Sequence, residues 1–140
     1  MEKYYIHELG YLSNLSPDYE GVIKDGLLKR RETADEFGKK QIDSILELTA
    51  RYRQKAVEYK RHDIAEVLEN VPANPPKNFR EALQSLRIVH FSLWLEGNYH
   101  NTLGRFDKYM YPYMQKDIEN GILTEEEAQE IIDQFIMKLR

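Results

Sequence analysis

The stretch that decides the fold is residues 71–93, which reads VPANPPKNFREALQSLRIVHFSL. Three prolines near its start each remove an amide donor and restrict the preceding residue, so this part predicts an extended connector. Asn78, with Glu81 three residues later, is typical of a helix start, because the asparagine side chain can accept a hydrogen bond from a free amide. The residues that follow are apolar on more than one side. The sequence therefore predicts a buried helix.

Helical patterns precede this stretch. Apolar residues between Ile42 and Tyr59 recur every three or four positions and predict a long helix. Ser16 is the predicted N-cap of an earlier helix and Pro17 its first residue, while glycines inside the pattern argue against a straight helix. A short helical continuation, residues 63–71, ends at the prolines of the connector.

Further helices follow the buried one. Gly97-Asn98 ends it, and residues 99–103 form the part of the chain most expected to be a strand. A helical segment begins near Arg105, and Pro112 is predicted as the first residue of a following helix. The last helix opens at residues 124–127, where a threonine and a glutamate form a capping box.

The composition narrows the class of protein. At 140 residues the chain fits one domain, and its patterns predict a mainly α fold of about five helices in a single helical region, residues 1–140. A net charge of −4, with interleaved acids and bases, argues against nucleic acid and membranes as partners. No apolar run reaches membrane-spanning length and no signal peptide is recognisable, so a cytoplasmic location is expected. The absence of cysteine excludes disulfides, the usual zinc sites and thiol chemistry.

Three groups of residues suggest chemistry, and a structural role is favoured for each. Glu58 and His62 lie one helical turn apart, but the basic residues between them indicate a solvated face rather than a metal site. His90 lies on the most apolar helix, which favours a hydrogen-bonded core histidine over an acid–base catalyst. An acidic group lacks the alternating oxygen ligands of a calcium loop. Its members are Asp117, Glu119, Glu125, Glu126 and Glu127. We predict no catalytic residue and no metal site.

A polar stretch from Glu96 to Thr102 is different in kind. It follows the buried helix immediately and precedes Gly104-Arg105. Polar side chains at the end of a core element often bind ligands. A loop whose polar groups satisfy one another is an equal alternative.

Five blocks of the sequence, in their order and spacing, resemble the large N-terminal domain of the glycyl radical enzymes, the pyruvate formate-lyase family. The blocks are the connector Pro72–Pro76, the helix start Glu81–Gln84, the turn Gly104–Asp107, the pair Tyr111-Pro112 and the helix start Thr124–Ala128. The resemblance covers residues 16–140. It implies that these helices form an exterior layer around the ten-stranded α/β barrel of a parent enzyme.

The resemblance also implies substrate-binding positions. They are Asn14, Asn98, His100 and Thr102. The chain departs from the family pattern at three of these places: Gly97-Asn98 replaces Asn-Gly, Thr102 replaces a serine, and Asn14 replaces a histidine or a substrate-binding arginine. The reaction is therefore left open between the radical acyl transfer of a transferase and the C–O, C–N or C–C cleavage of a lyase.

Cofactor and partners follow from the same resemblance. The parent enzyme would serve anaerobic metabolism and carry a glycyl radical that a radical S-adenosylmethionine activase installs, whereas this chain would bind no cofactor. The family's reaction needs a thiyl cysteine and a glycine in a C-terminal loop, but this chain has no cysteine and stops at Arg140. We therefore expect a fragment that is inactive alone, with the remainder of the enzyme, the activase and further copies of itself as partners. The alternative is a complete, non-enzymatic helical interaction domain.

Overall fold

The computed structural model describes residues 15–97 and 100–138. The predicted contact residues Asn14 and Asn98 lie outside these ranges, as does most of the segment before the first helix. Seven helices occupy most of the described chain. They are α1 (Tyr19–Asp25), α2 (Leu27–Thr33), α3 (Glu36–Glu58), α4 (His62–Asn70), α5 (Phe79–Leu95), α6 (Phe106–Glu119) and α7 (Glu125–Met137).

The prediction of a mainly α fold is confirmed, with seven helices in the described residues rather than about five. The first predicted helix is divided at Gly26 into α1 and α2, and the predicted continuation is a separate helix, α4, that follows Lys60 with its φ of +58°. In the described ranges the β structure is one parallel bridge between Leu15 and Asn101. The bridge lies in the part of the chain where a strand was expected.

Two predicted helix starts were wrong, and the starts at Asn78 and Thr124 are confirmed. Asp18, not Ser16, is the N-cap of α1, because its Oδ1 accepts a hydrogen bond from a first-turn amide at 3.0 Å. Pro112 lies inside α6 instead of opening a new helix, so α6 continues at the cost of one backbone hydrogen bond. The capping box of α7 is present: Thr124 Oγ1 accepts from the Glu127 amide, and the Glu127 carboxylate accepts from the Thr124 amide.

The break at Gly26 holds α1 and α2 against the proline connector. Gly26 has φ +75° and ψ 157°, a backbone conformation that is close to exclusive to glycine. A Cβ at this position would lie 2.7 Å from the Ala73 carbonyl oxygen. The Leu27 and Leu28 amides donate to the carbonyls of Pro72 and Ala73 at 2.9 and 3.0 Å. The connector thereby satisfies amides that a helix N-terminus leaves free.

The start of α5 is fixed by three polar side chains. Asn78 is its N-cap, as predicted, and accepts from the Glu81 amide at 2.9 Å. The Glu81 carboxylate does not return to the Asn78 amide but accepts from the Lys77 amide at 2.8 Å. Asp117 reaches over from α6 and accepts from the Phe79 amide at 2.8 Å. The start of α5 is therefore tied to α6.

Asp117 gives the acidic group a different geometry from the one that its sequence suggests. Its side chain is buried, at 2% exposure, whereas Glu119 and the three glutamates at the start of α7 are exposed. The group therefore does not converge, and Asp117 stabilises the N-terminus of a neighbouring helix rather than its own. In the described part of the chain, no three acidic or histidine side chains are placed to hold a metal.

The core forms around α5. Phe79, Ala82 and Leu86 of this helix are at most 1% exposed and belong to one cluster with residues of α1, α2, α6 and α7. The rings of Phe106 and Phe135 stack at a centroid distance of 5.6 Å and join α6 to α7. No helix within residues 15–97 and 100–138 has both the length and the hydropathy of a membrane-spanning segment.

Candidate functional site

The candidate site is the segment 100–105, which runs between α5 and α6. Its backbone is held next to Leu15: the Leu15 amide donates to the His100 carbonyl, and the Thr102 amide donates to the Leu15 carbonyl, each at 2.9 Å. These two bonds make the parallel bridge with Asn101. The chain before α1 is therefore joined to the chain after α5, although the two lie far apart in sequence.

His100 and Thr102 lie on the same side of this segment, because residues two apart along an extended backbone face the same way. Both side chains are exposed. Thr102 Oγ1 accepts a hydrogen bond from the Gly104 amide at 2.8 Å, which shapes the turn where Gly104 adopts φ +61°. The threonine hydroxyl still has its own hydrogen to donate, and the imidazole has two ring nitrogens.

A charged pair closes the segment. Arg105 donates to Asp107 through Nε and Nη2 at 2.9 and 2.6 Å. The Arg105 guanidinium holds the pKa of the Asp107 carboxyl below its usual range, so the pair stays ionised. Both side chains are largely exposed, so the pair contributes little to stability.

One buried phenol bonds to the segment, and a second pairs with a histidine of α5. The Tyr109 hydroxyl donates to the Leu103 carbonyl at 2.7 Å, and burial raises the pKa of this phenol. The Tyr19 hydroxyl lies 2.7 Å from His90 Nδ1. Burial raises the pKa of Tyr19 to about 12. Burial, together with the charge of Arg87, lowers the pKa of His90. Both phenols stay protonated and His90 stays neutral near pH 7.

The interpretation of His90 as a hydrogen-bonded core histidine agrees with this geometry, since the ring is 5% exposed. The Glu58 carboxylate accepts from Lys55 Nζ at 2.6 Å on the surface of α3, as expected for a solvated face. Of the four predicted substrate-binding residues, the structure describes His100 and Thr102, and both are exposed on the segment 100–105. Asn14 and Asn98 lie outside the described residues.

Sequence reasoning missed the roles of Tyr19 and Tyr109. Tyr19 bonds to His90, which lies 71 residues away in the sequence. Tyr109 bonds a carbonyl six residues earlier, but only because α6 turns back over the segment. No local pattern signals either contact, since both depend on how the helices pack.

The arrangement offers exposed donors and acceptors but no nucleophilic thiol, because the sequence contains no cysteine. An imidazole and a hydroxyl side by side can bind the hydroxyl or carboxylate groups of a small polar molecule.

Comparison with known proteins places the chain in a family. Residues 7–140 match the family described as Pyruvate formate lyase-like. Trans-4-hydroxy-L-proline dehydratase of Clostridioides difficile is 32% identical over 91% of this chain, and isethionate sulfite-lyase of Bilophila wadsworthia (strain 3_1_6) is 43% identical over 50% of it. The matched parts are 18% and 9% of those proteins. The chain thus spans less than a fifth of the length of these curated relatives.

Solved structures share the arrangement of the helices. A structure described for 1,2-propanediol dehydration in Roseburia inulinivorans superposes with a TM-score of 0.74 and 30% identity, over 87% of this chain and 18% of that one. Hydroxyproline dehydratase of Clostridioides difficile, with trans-4-hydroxy-L-proline bound, gives 0.67 over 83% of this chain and 19% of its own. At 24% identity the second shows the fold alone. The chain belongs to the pyruvate formate lyase-like family of glycyl radical enzymes.

Proposed function

We propose that this chain contributes an exterior helical layer to a glycyl radical enzyme of the dehydratase or lyase type and performs no radical chemistry by itself. The proposal rests on one observation: this member of the family, with its 140 residues, contains no cysteine. A thiyl radical needs a thiol to form and to abstract hydrogen, and a methionine thioether has no S–H hydrogen to replace it.

The proposed reaction class rests on the names of the relatives. These proteins are called a dehydratase, a sulfite-lyase and, in Clostridioides difficile, the glycyl radical subunit of 4-hydroxyphenylacetate decarboxylase. All three names describe lyase reactions rather than transfer of an acyl group. We propose the same class for the enzyme that contains this chain, with a glycyl radical installed by an activase. A cytoplasmic location and association between copies belong to the same proposal.

Within that enzyme, we propose that His100 and Thr102 contact the substrate, together with Asn14 and Asn98. Support comes from the exposed, same-sided placement of His100 and Thr102 on a segment fixed by two backbone hydrogen bonds. A fixed backbone limits the entropy that these side chains lose when a ligand binds. Catalytic groups would come from outside this chain.

The inertness of the chain is tested by electron paramagnetic resonance. The chain is incubated without oxygen with a radical-generating activase, S-adenosylmethionine and a reductant. We expect no glycyl doublet, and no turnover of pyruvate with coenzyme A or of a diol. A doublet, or turnover of either substrate, would contradict the proposal.

The substrate contacts are tested in a chimera. This chain replaces the aligned portion of the Clostridioides difficile trans-4-hydroxy-L-proline dehydratase, and the activated chimera is assayed for dehydration. We expect His100→Ala and Thr102→Val to lower kcat/KM about tenfold, a loss of about 1.4 kcal/mol of transition-state stabilisation, with the radical signal retained. Variants as active as the parent chimera would exclude these residues as contacts.

A non-enzymatic interaction domain is the second candidate function. It is favoured by large apolar side chains on the surface: Phe37, Tyr59 and Met137 are 71%, 76% and 67% exposed. Single exposed residues are ordinary, but several on one small chain suggest contact with other polypeptide. Cooperative thermal unfolding of a monomer would favour this candidate. Non-cooperative unfolding or oligomers would favour the enzyme layer.

A further inference from the structure

The peptide unit between Leu103 and Gly104 is held at both of its polar atoms. The Leu103 carbonyl accepts a hydrogen bond from the Tyr109 hydroxyl at 2.7 Å, and the Gly104 amide donates to Thr102 Oγ1 at 2.8 Å. The carbonyl and the amide of a trans peptide share a plane and point in opposite directions. This one peptide therefore connects a buried phenol on its inner side to an exposed threonine hydroxyl on its outer side.

Tyr109 is a rigid donor. Its side chain is 8% exposed and belongs to the core, and its ring meets that of Phe106 edge to face at a centroid distance of 6.1 Å. The Phe106 ring in turn stacks on Phe135 of α7. Burial raises the pKa of the Tyr109 hydroxyl, so the phenol keeps its hydrogen near pH 7 and donates it to the carbonyl. The packing of α6 against α7 thus sets the position of the donor.

The Leu103 carbonyl depends on this phenol. Among the described residues no backbone amide donates to it, and both backbone bonds with Leu15 lie earlier in the segment. Gly104 has φ +61°, and glycine reaches such conformations without a steric penalty, so sterics alone hold this peptide weakly. Without the phenol, rotation of the peptide would be opposed mainly by its bond to an exposed side chain. Tyr109 is therefore the anchor that fixes the direction of the Gly104 amide.

The bond from the Gly104 amide limits what the Thr102 hydroxyl can offer. A hydroxyl has one hydrogen and two lone pairs, and the amide occupies one of the lone pairs. The hydroxyl hydrogen cannot point at the amide that donates to its oxygen, so it points elsewhere, and the side chain is exposed. Hydrogen bonds in a chain polarise one another, so a hydroxyl that accepts a bond is also a stronger donor. Thr102 thus presents an oriented donor.

We propose that Tyr109 is a positioning residue for Thr102: through the peptide between Leu103 and Gly104, its hydroxyl orients the threonine hydroxyl as the hydrogen-bond donor to a hydroxyl or carboxylate oxygen of the substrate. This role rests on the proposed function, in which Thr102 contacts the substrate. The three donors, phenol, amide and threonine hydroxyl, run in one direction from the core to the ligand, which is the arrangement that strengthens each bond. Tyr109 is buried and acts only through the peptide.

The test is a double-mutant cycle in the activated chimera with trans-4-hydroxy-L-proline dehydratase. Tyr109→Phe keeps the ring and removes the hydroxyl, and Thr102→Val keeps the shape of the threonine. We expect Tyr109→Phe to lower kcat/KM about fivefold, as for the loss of one hydrogen bond, and to change it by less than about twofold in the Thr102→Val background. A role in folding alone would give the same loss in both backgrounds, because its effect does not pass through the threonine hydroxyl.

Two control variants and a second measurement isolate the hydroxyl. Tyr113→Phe removes a half-buried phenol one turn further along α6, whose hydroxyl has no hydrogen bond to another described residue, and should leave kcat/KM within about twofold. Thr102→Ser keeps a hydroxyl, so Tyr109→Phe should again cost about fivefold in that background. In the intact 140-residue chain, amide exchange at Gly104 should be about fivefold faster in Tyr109→Phe and in Thr102→Val, and unchanged in Tyr113→Phe.

Two results would overturn the positioning role while leaving Thr102 as a substrate contact. They are an equal loss from Tyr109→Phe in the parent and Thr102→Val backgrounds, and a Gly104 amide that exchanges at the parent rate in Tyr109→Phe. If Thr102→Val is as active as the parent chimera, the proposed substrate contact is wrong, and the positioning role is overturned with it. The effect of Thr102→Val alone therefore distinguishes failure of the proposed function from failure of the role of Tyr109.

Discussion

The two irregular segments at the ends of α5 differ in how they are held. The connector before the helix, residues 71–78, is fastened by side chains and amides from α2, α4 and α5, and Val71 is fully buried. The segment after it, residues 100–105, is held mainly through its backbone and exposes its polar side chains. The polar groups of the connector form hydrogen bonds within the fold. The side chains of the segment 100–105 remain available to a ligand.

The comparison teaches that polar sequence alone does not identify a site. Asp117 and Thr102 are both polar, but the first is buried against a helix start and the second is exposed beside a turn. Substitutions before α5 should therefore cost stability, and those after it should cost little. The five predictions below test and refine that comparison, in decreasing order of expected effect.

Gly26→Ala should have the largest effect. Its backbone conformation is close to exclusive to glycine, and the new Cβ would meet the connector's backbone at 2.7 Å. We expect a loss of about 3 kcal/mol in the free energy of unfolding, measured by urea denaturation. Gly121→Ala is the matched control, because its φ of +67° is also positive but no atom lies within 4 Å. Equal losses would show that contact with the connector does not matter.

Asp117→Ala should cost about 2 kcal/mol, because the buried Phe79 amide would lose its acceptor. Asp117→Asn keeps an oxygen at the same place and should recover about half of the loss. Thermal unfolding followed by circular dichroism measures both. Glu119→Ala, exposed two residues away, is the control and should change little. If the three variants unfold alike, Asp117 does not hold the start of α5.

Tyr19→Phe should cost about 1 kcal/mol, because His90 loses its hydrogen-bond partner while the ring volume is kept. Tyr113→Phe is the control, since no hydrogen bond of its hydroxyl is found in the described residues. The Tyr19–His90 pair joins α1 to α5, the helix that runs between the two segments compared above.

His90 gives the same contact a pH dependence. Burial places its folded-state pKa below the unfolded value near 6.5, so the unfolded chain binds the proton first as pH falls. Stability from the neutral ring is complete above about 6.5 and is lost as pH falls from there through the lowered folded value. His90→Gln should remove this slope in urea titrations, whereas the slope below the ordinary carboxyl pKa, set by Asp18 and Asp43, should remain. An unchanged slope near pH 6 would contradict the assignment.

His100→Ala and Thr102→Val should have the smallest effect, each within about 0.5 kcal/mol, because both side chains are exposed. Urea denaturation of the isolated chain is the measurement. A loss comparable to that of Asp117→Ala would mean that the segment after α5 is structural, and it would remove the contrast with the connector.

The sequence by itself determined the helical class, the family and several helix ends. Periodic apolar residues, the Asn78 cap and the Thr124 capping box act within one helical turn, so their physics is contained in adjacent residues. The wrong starts at Ser16 and Pro112 also have local causes. Asp18, two residues after Ser16, is the N-cap of α1 instead, and α6 continues through Pro112 with one backbone hydrogen bond missing.

Only the tertiary structure decided which polar groups form hydrogen bonds within the fold and which remain available to a ligand. The bonds of Tyr19 to His90 and of Asp117 to Phe79 join residues 71 and 38 positions apart. The Leu15–Asn101 bridge likewise pairs distant backbone. Such contacts depend on the packing of whole helices, because burial makes a polar group find a partner but does not specify which one.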